Sequence, residues 1–266
     1  MPHPLCPLLA QWAAGSHLRE SSAVTVEERL LPVSARQPVA LQMFRAELAR
    51  AVGVTAQAIG YHEAGDRRPD MSLQLRLAEV LQQPVGFFLR RTSVSPKYIG
   101  ARFFRSVGPK NNKTNHALSV RTSWLFELVC FLSRFVRLPT VNLPVEIAPP
   151  QHGRYSLSEI EEIATGVRRH WTLGDGPIAN MVALLETHGV IGARFEIGAE
   201  KIDAFSAWID GRPYVFLGSD KGSCVRSRFD AAHQLGHLIL HADISQEDLE
   251  SEEIRDRIKK EANWFI

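Results

Sequence analysis

The run from Arg228 to His241 limits the fold more than any other part of the chain: Arg228-Phe229-Asp230-Ala231-Ala232-His233-Gln234-Leu235-Gly236-His237-Leu238-Ile239-Leu240-His241. Phe229, Ala232, Leu235, Gly236, Ile239 and Leu240 recur at steps of three and four, the spacing of a buried amphipathic helix. His233 and His237 stand at i and i+4, so both imidazoles leave the helix in the same direction. Two neutral imidazoles in that position can share one zinc ion. The same pair also occurs as ordinary core or surface histidines, and spacing by itself does not separate the two. His241 continues the row at i+8, turned about 80° from His233. The expectation is that it neighbours the helix end and does not bind the same ion.

The spacing is that of the His-Glu-x-x-His helix of zinc peptidases, with Gln234 where the glutamate stands. In such sites the metal polarises water and the scissile carbonyl, and the glutamate moves the water's proton to the leaving amine. An amide keeps the size of that side chain but has no basicity near neutral pH. Gln234 therefore occupies the catalytic position of the general base while proteolysis is expected to be absent or very weak. A laboratory replacement and a natural pseudo-enzyme both fit this reading.

At 266 residues the chain exceeds one typical domain. Apolar residues make up 45% of it, enough for packed cores, and the net charge of +2 points to no class of partner. Charge is unevenly spread. From Phe88 to Arg137 there are ten Lys or Arg residues against one acid, Glu127, a pattern that suits either a phosphate-facing surface or a solvated helix face. Cys6, Cys130 and Cys224 are odd in number and far apart, so no disulfide framework is implied and a reducing cytoplasm is expected. Nothing resembles a signal peptide, and no apolar run reaches the length of a membrane span.

Residues 1–40 are irregular, with a short helix expected over Leu8 to Arg19. The pattern then sharpens. Arg45 to Val52 reads as a helix closed by Gly53, and Ala56 to Glu63 as a second one with Thr55 at its N-cap and Gly65 near its end. Leu73 to Leu81 is a third, with Ser72 as cap, and Phe87-Phe88 forms an apolar plug. Two short helices joined at a glycine and packed on a third make a helix-turn-helix unit. The run Ala46-Glu47-Leu48-Ala49, Val52-Gly53-Val54-Thr55, Ala58-Ile59, Tyr61-His62-Glu63-Ala64-Gly65 and Arg68-Pro69 resembles the Xre-type phage-repressor family. That resemblance implies a second helix in the DNA major groove, with Thr55, Gln57, Ala58 and Tyr61 facing DNA and Gln57 suited to adenine. Arg45 would touch a phosphate. The alternative is a bundle that serves only packing or dimerisation.

Residues 41–96 thus form the helix-turn-helix domain, and 97–150 a connector. In the connector, Ser123 to Val136 is apolar on most sides and should be a buried helix. Ala148 to Gly153 reads as a linker. Residues 151–266 form the second domain. Ser158 and Glu161 fit a capping box opening a helix to Trp171, and Ile178 to His188 is the next helix. Val190 to Ile197, Phe205 to Ile209 and Pro213 to Leu217 then read as strands, the last two joined by a tight Asp210-Gly211 turn. The fold class expected is α+β and mostly helical: an all-α helix-turn-helix bundle, then an α+β domain with a small antiparallel sheet.

Over residues 157 to 265, the motifs Gly174-Asp175-Gly176-Pro177-Ile178, Leu184-Leu185-Glu186, His188-Gly189-Val190, Asp203-Ala204-Phe205-Ser206, Arg226, Arg228-Phe229, His233 to His241 and Glu261-Ala262-Asn263-Trp264-Phe265 resemble the ImmA/IrrE metallopeptidase family. Phe103 to Ser106 also matches, and members often carry an Xre-type domain in front. The resemblance implies a gluzincin-like zinc site of two histidines, His233 and His237, and a glutamate from a later helix. The family position for that glutamate holds Lys259 here, a cation that cannot bind zinc while protonated. Glu261 is the nearest acid and is taken as the candidate ligand, with a surface helix acid as its alternative. Family members usually run past the position of Ile266, which implies a domain cut short.

Three functions are open at this point. The first is a cytoplasmic DNA-binding regulator whose peptidase-like domain cleaves, or once cleaved, a partner such as a repressor; family members are linked to stress responses and mobile-element control. The second is a pseudo-peptidase sensor that binds a ligand or protein in the old cleft. The third is an antitoxin-like interaction protein. The expected partners are operator DNA, a repressor-like protein and, because such operators are two-fold, a second copy of the chain.

Overall fold

The computed structural model describes residues 43–64, 66–89, 100–105, 112–144, 147, 150, 153–195, 203–219 and 224–266. The helix expected over Leu8 to Arg19, Gly65, and most of the Ala148 to Gly153 linker lie outside those residues.

The first unit is built as its turn residues dictate. Helix α1 (Arg45–Val52) ends at Gly53, whose φ of 71° is the left-handed conformation that a glycine adopts without steric cost. Helix α2 (Ala56–Ala64) begins at Thr55, whose Oγ1 accepts the Ala58 N–H at 3.1 Å, as the sequence leads one to expect. Helix α3 (Met71–Val80) starts earlier than expected. Its cap is Asp70, accepting the Leu73 N–H at 2.7 Å, while Ser72 lies inside the helix and accepts from Arg76. Leu48, Ala49, Val52, Ile59, Leu73, Leu77, Ala78 and Leu81 close into one apolar cluster. Burying each large member is worth roughly 1.5–3 kcal/mol.

Helix α4 (Asn112–Leu132) starts before Ser123 and stops short of Val136. It packs through Leu118, Leu125, Phe126 and Val129 against the sheet aromatics Phe205, Tyr214 and Phe216. The expectation of a fully buried helix fails at its end, where Phe131 is 53% and Phe135 70% exposed. An all-round apolar pattern asks for neighbours on every side; the sheet supplies them on one side and Phe87 meets Trp124 edge-on at 5.9 Å, but Phe131 and Phe135 are left exposed.

The sheet has four strands in the order β1-β3-β4-β2: β1 (Phe103–Phe104), β2 (Ile191–Phe195), β3 (Ala204–Ile209) and β4 (Arg212–Gly218). The β3–β4 hairpin turns at Asp210 and Gly211, with φ of 48° and 73°, the turn expected of Asp-Gly. The sheet is mixed, not antiparallel as expected, because β2 pairs parallel with β4. Strand direction does alternate along the chain from β2 to β4. Alternation says nothing of spatial order, and β4 lies between β3 and β2.

Helix α5 (Leu157–His170) is opened by a capping box of Ser156 and Glu159, two residues before the expected Ser158 and Glu161. Helix α6 (Met181–Thr187) is capped by Asn180, so it starts later than Ile178. Helix α7 (Cys224–Leu240) carries the histidines across β3 and β4, and helix α8 (Glu252–Trp264) lies against it. No helix among the described residues is long and apolar enough to cross a membrane.

Candidate functional site

Helix α7 turns His233, Gln234 and His237 into the domain, and all three are fully buried. Close approach of α8 makes this possible. A Cβ on Gly236 would lie 3.2 Å from both Ala262 Cα and Phe265 Cβ, so the two helices meet over a bare stretch of backbone. From the other side, Phe103 of β1 stacks on His237 at 5.2 Å between ring centres.

The imidazoles form a string. His233 Nε2 lies 3.1 Å from His237 Nε2, and His237 Nδ1 lies 3.1 Å from His241 Nδ1. His241 Nε2 then meets Glu261 Oε2 at 2.8 Å. Glu261 is buried, which removes the surface-acid alternative, and its other oxygen accepts the Tyr155 N–H at 3.2 Å with Arg257 Nε at 3.8 Å. His241 joins the row through His237, from which it is again one turn away.

Burial holds these rings neutral. The pKa of His233 is pushed down to about 4, first by burial and then by the Arg105 guanidinium, with Asn263 opposing. His237 is driven well below the ordinary histidine value by burial and by its two histidine neighbours. His241 is lowered by burial against the opposing pull of Glu261.

Gln234 faces β3. The Ser206 hydroxyl donates to its Oε1 at 2.6 Å, while its Nε2 is buried with no hydrogen-bond partner. Neither end of the amide can accept a proton from water near neutral pH. Beside this face, Arg105 pairs with Asp230 and lies 3.7 Å from Asp203, which also pairs with Arg226 at 2.7 Å. Arg105 sits over the Phe229 ring as well. Ser206, Asp230 and Tyr155 are the members that sequence reasoning left without a role. Asp203 to Ser206 and Arg226 stood in matched motifs, but nothing in their local spacing announces partners so distant in sequence.

The zinc implied by the resemblance can be tested against this donor set. Two imidazole nitrogens on one tetrahedral zinc lie about 3.3 Å apart, given bonds of about 2.0–2.1 Å, so the Nε2 pair suits a shared ion. Among the described residues a third protein donor is not in place. Both oxygens of Glu261 are engaged elsewhere, and Lys259 stands near enough for its charge to oppose protonation of His233 and His237. Among the described residues no three His, Cys, Asp or Glu side chains form a metal-holding group. The residues present supply half of a zinc site and do not fit a catalytic one.

In the first unit, Thr55 and Gln57 are exposed on α2 and Ala58 and Tyr61 partly so. Gln57 Nε2 donates to the Tyr61 hydroxyl at 2.9 Å, and Arg67 lies over the Tyr61 ring. Arg45, the candidate phosphate contact, pairs with Glu63 at 2.6 Å.

Residues 185–265 match the family model described as Peptidase_M78, IrrE N-terminal-like domain. No curated protein and no solved structure matches the chain.

Proposed function

We propose that this chain, with its IrrE-like peptidase domain over residues 185–265, is a DNA-binding regulator whose peptidase-like half recognises a partner protein without hydrolysing it. One observation carries the non-hydrolytic half: the position of the general base holds Gln234, buried and fixed by Ser206. In zinc peptidases the side chain at this position takes up and passes on a proton, and an amide has no basicity with which to do so. The recognised partner is a repressor-like protein, as the resemblance implies.

The DNA-binding half rests on α1 and α2, a capped pair with Thr55, Gln57 and Tyr61 on the accessible side of the second helix. Gln57 is placed to read adenine once its bond to Tyr61 is exchanged for one to the base. A two-fold operator would be bound by two copies of the chain.

Electrophoretic mobility on the DNA upstream of the protein's own gene, over a salt series, tests the regulator reading. Binding that weakens steeply with salt and loses sequence preference in Gln57→Ala is expected. No binding even at low salt removes it.

A further inference from the structure

We infer that His233, His237, His241 and Glu261 form a closed, metal-independent polar spine, whose work is to hold α7, α8 and the start of α5 together. The inference deepens the non-hydrolytic reading of this site and rests on it.

The protons can be placed one by one. Glu261 Oε2 only accepts, so His241 carries its proton on Nε2 and donates it there. His241 Nδ1 is then a bare acceptor, which takes the proton on His237 Nδ1. His237 Nε2 is bare in turn and accepts from His233 Nε2. Three neutral rings thus contribute three N–H donors, and each donor meets one acceptor. His233 Nδ1 ends the string: no hydrogen bond of normal geometry reaches it, although Asn263 lies close enough to His233 to favour its protonated form. Each N–H donor of the string thus meets an acceptor, and the unpaired polar atom is at the His233 end.

A zinc ion would undo that arrangement. Entering between the two Nε2 atoms, it must displace the proton that His233 donates to His237, in a spot that burial already closes to water. Among the described residues it would find two protein donors, with the charge of Lys259 close by. The spine also reaches beyond its own helices. Through the Tyr155 N–H, Glu261 fastens the residue before the cap of α5, and Phe103 lies flat on His237 from β1.

The full-length chain, purified without chelator, is the test. Elemental mass spectrometry should find far less than one zinc per chain, and thermal unfolding should be indifferent to EDTA and to added zinc. About one zinc per chain, with Tm falling in EDTA, overturns the inference. It would leave the absence of hydrolysis standing, since that is read separately in a cleavage assay on the repressor-like partner. Glu261→Leu should lower Tm by roughly 5 °C or more, and an unchanged Tm also overturns the spine. Should that variant fail to fold, long-range ¹⁵N–¹H spectra of the unaltered protein decide. Protons on His237 Nδ1 and on Nε2 of His233 and His241 support the spine, and the opposite tautomers overturn it. Lys259→Glu should take up zinc where the unaltered chain does not.

Discussion

The two halves of this protein solve burial in opposite ways. The α1–α3 bundle closes over Leu48, Val52, Ile59, Leu73, Leu77 and Leu81, and its polar side chains stay outside. The α7 region buries three histidines, a glutamine and a glutamate beside an equally apolar cluster. An apolar core tolerates small shifts, because dispersion and water exclusion have no direction. A polar string does not, because each donor left unpaired costs about 1–3 kcal/mol. The bundle is held by amount of surface and the second domain partly by alignment of atoms.

The strongest way to break that contrast is His241→Leu. It removes two links of the string and leaves Glu261 Oε2 buried opposite no donor, so denaturant unfolding should show a loss of about 3–5 kcal/mol confined to the second domain. Acid should come next. His233 has a folded pKa of about 4 against an ordinary 6.5, so the folded state binds fewer protons than the unfolded chain between those values. Its contribution is complete above pH 6.5 and is lost as pH falls toward 4, to about 3 kcal/mol. Circular dichroism over that range should show the second domain weakening before the bundle, whose buried cluster holds no histidine.

A smaller effect is expected at the outer face of α2. Gln57→Ala should cost about 1–3 kcal/mol in operator affinity while non-specific binding stays constant, as read by competition with unrelated DNA. The smallest change expected is in Gln234→Glu. With no third donor among the described residues, restoring a carboxylate should give no measurable cleavage of a repressor-like substrate, and a clear gain would place a working site where the geometry shows half of one.

These contrasts also explain what could be read from residues alone. Gly53 and Thr55 act locally, so their helix ends were legible. Where two capping residues stand close together, as Asp70 and Ser72 do, the pattern points to both and packing selects one. The histidine row was legible as far as His237. Measured from His233, the ring of His241 points away; measured from His237 it is again one turn on, and the contact runs through that neighbour. Glu261 was the nearest acid to a vacant ligand position. Its partners, His241 and Tyr155, are set by how α8 crosses α7, which periodicity within one helix does not carry. The mixed sheet escaped for a related reason, since strand direction is local while spatial order is not.

Gly236 gives these differences a mechanical form. The gap between α7 and α8 is set there by a hydrogen atom resting against Ala262 and Phe265. Apolar contacts forgive a few tenths of an ångström, whereas hydrogen bonds weaken steeply as they lengthen and tilt. A methyl group inserted at that point would act as a shim. It would disconnect the proton wiring from His233 to Glu261 while the surrounding oil remained in contact, so the domain would lose its sense of register before it lost its core.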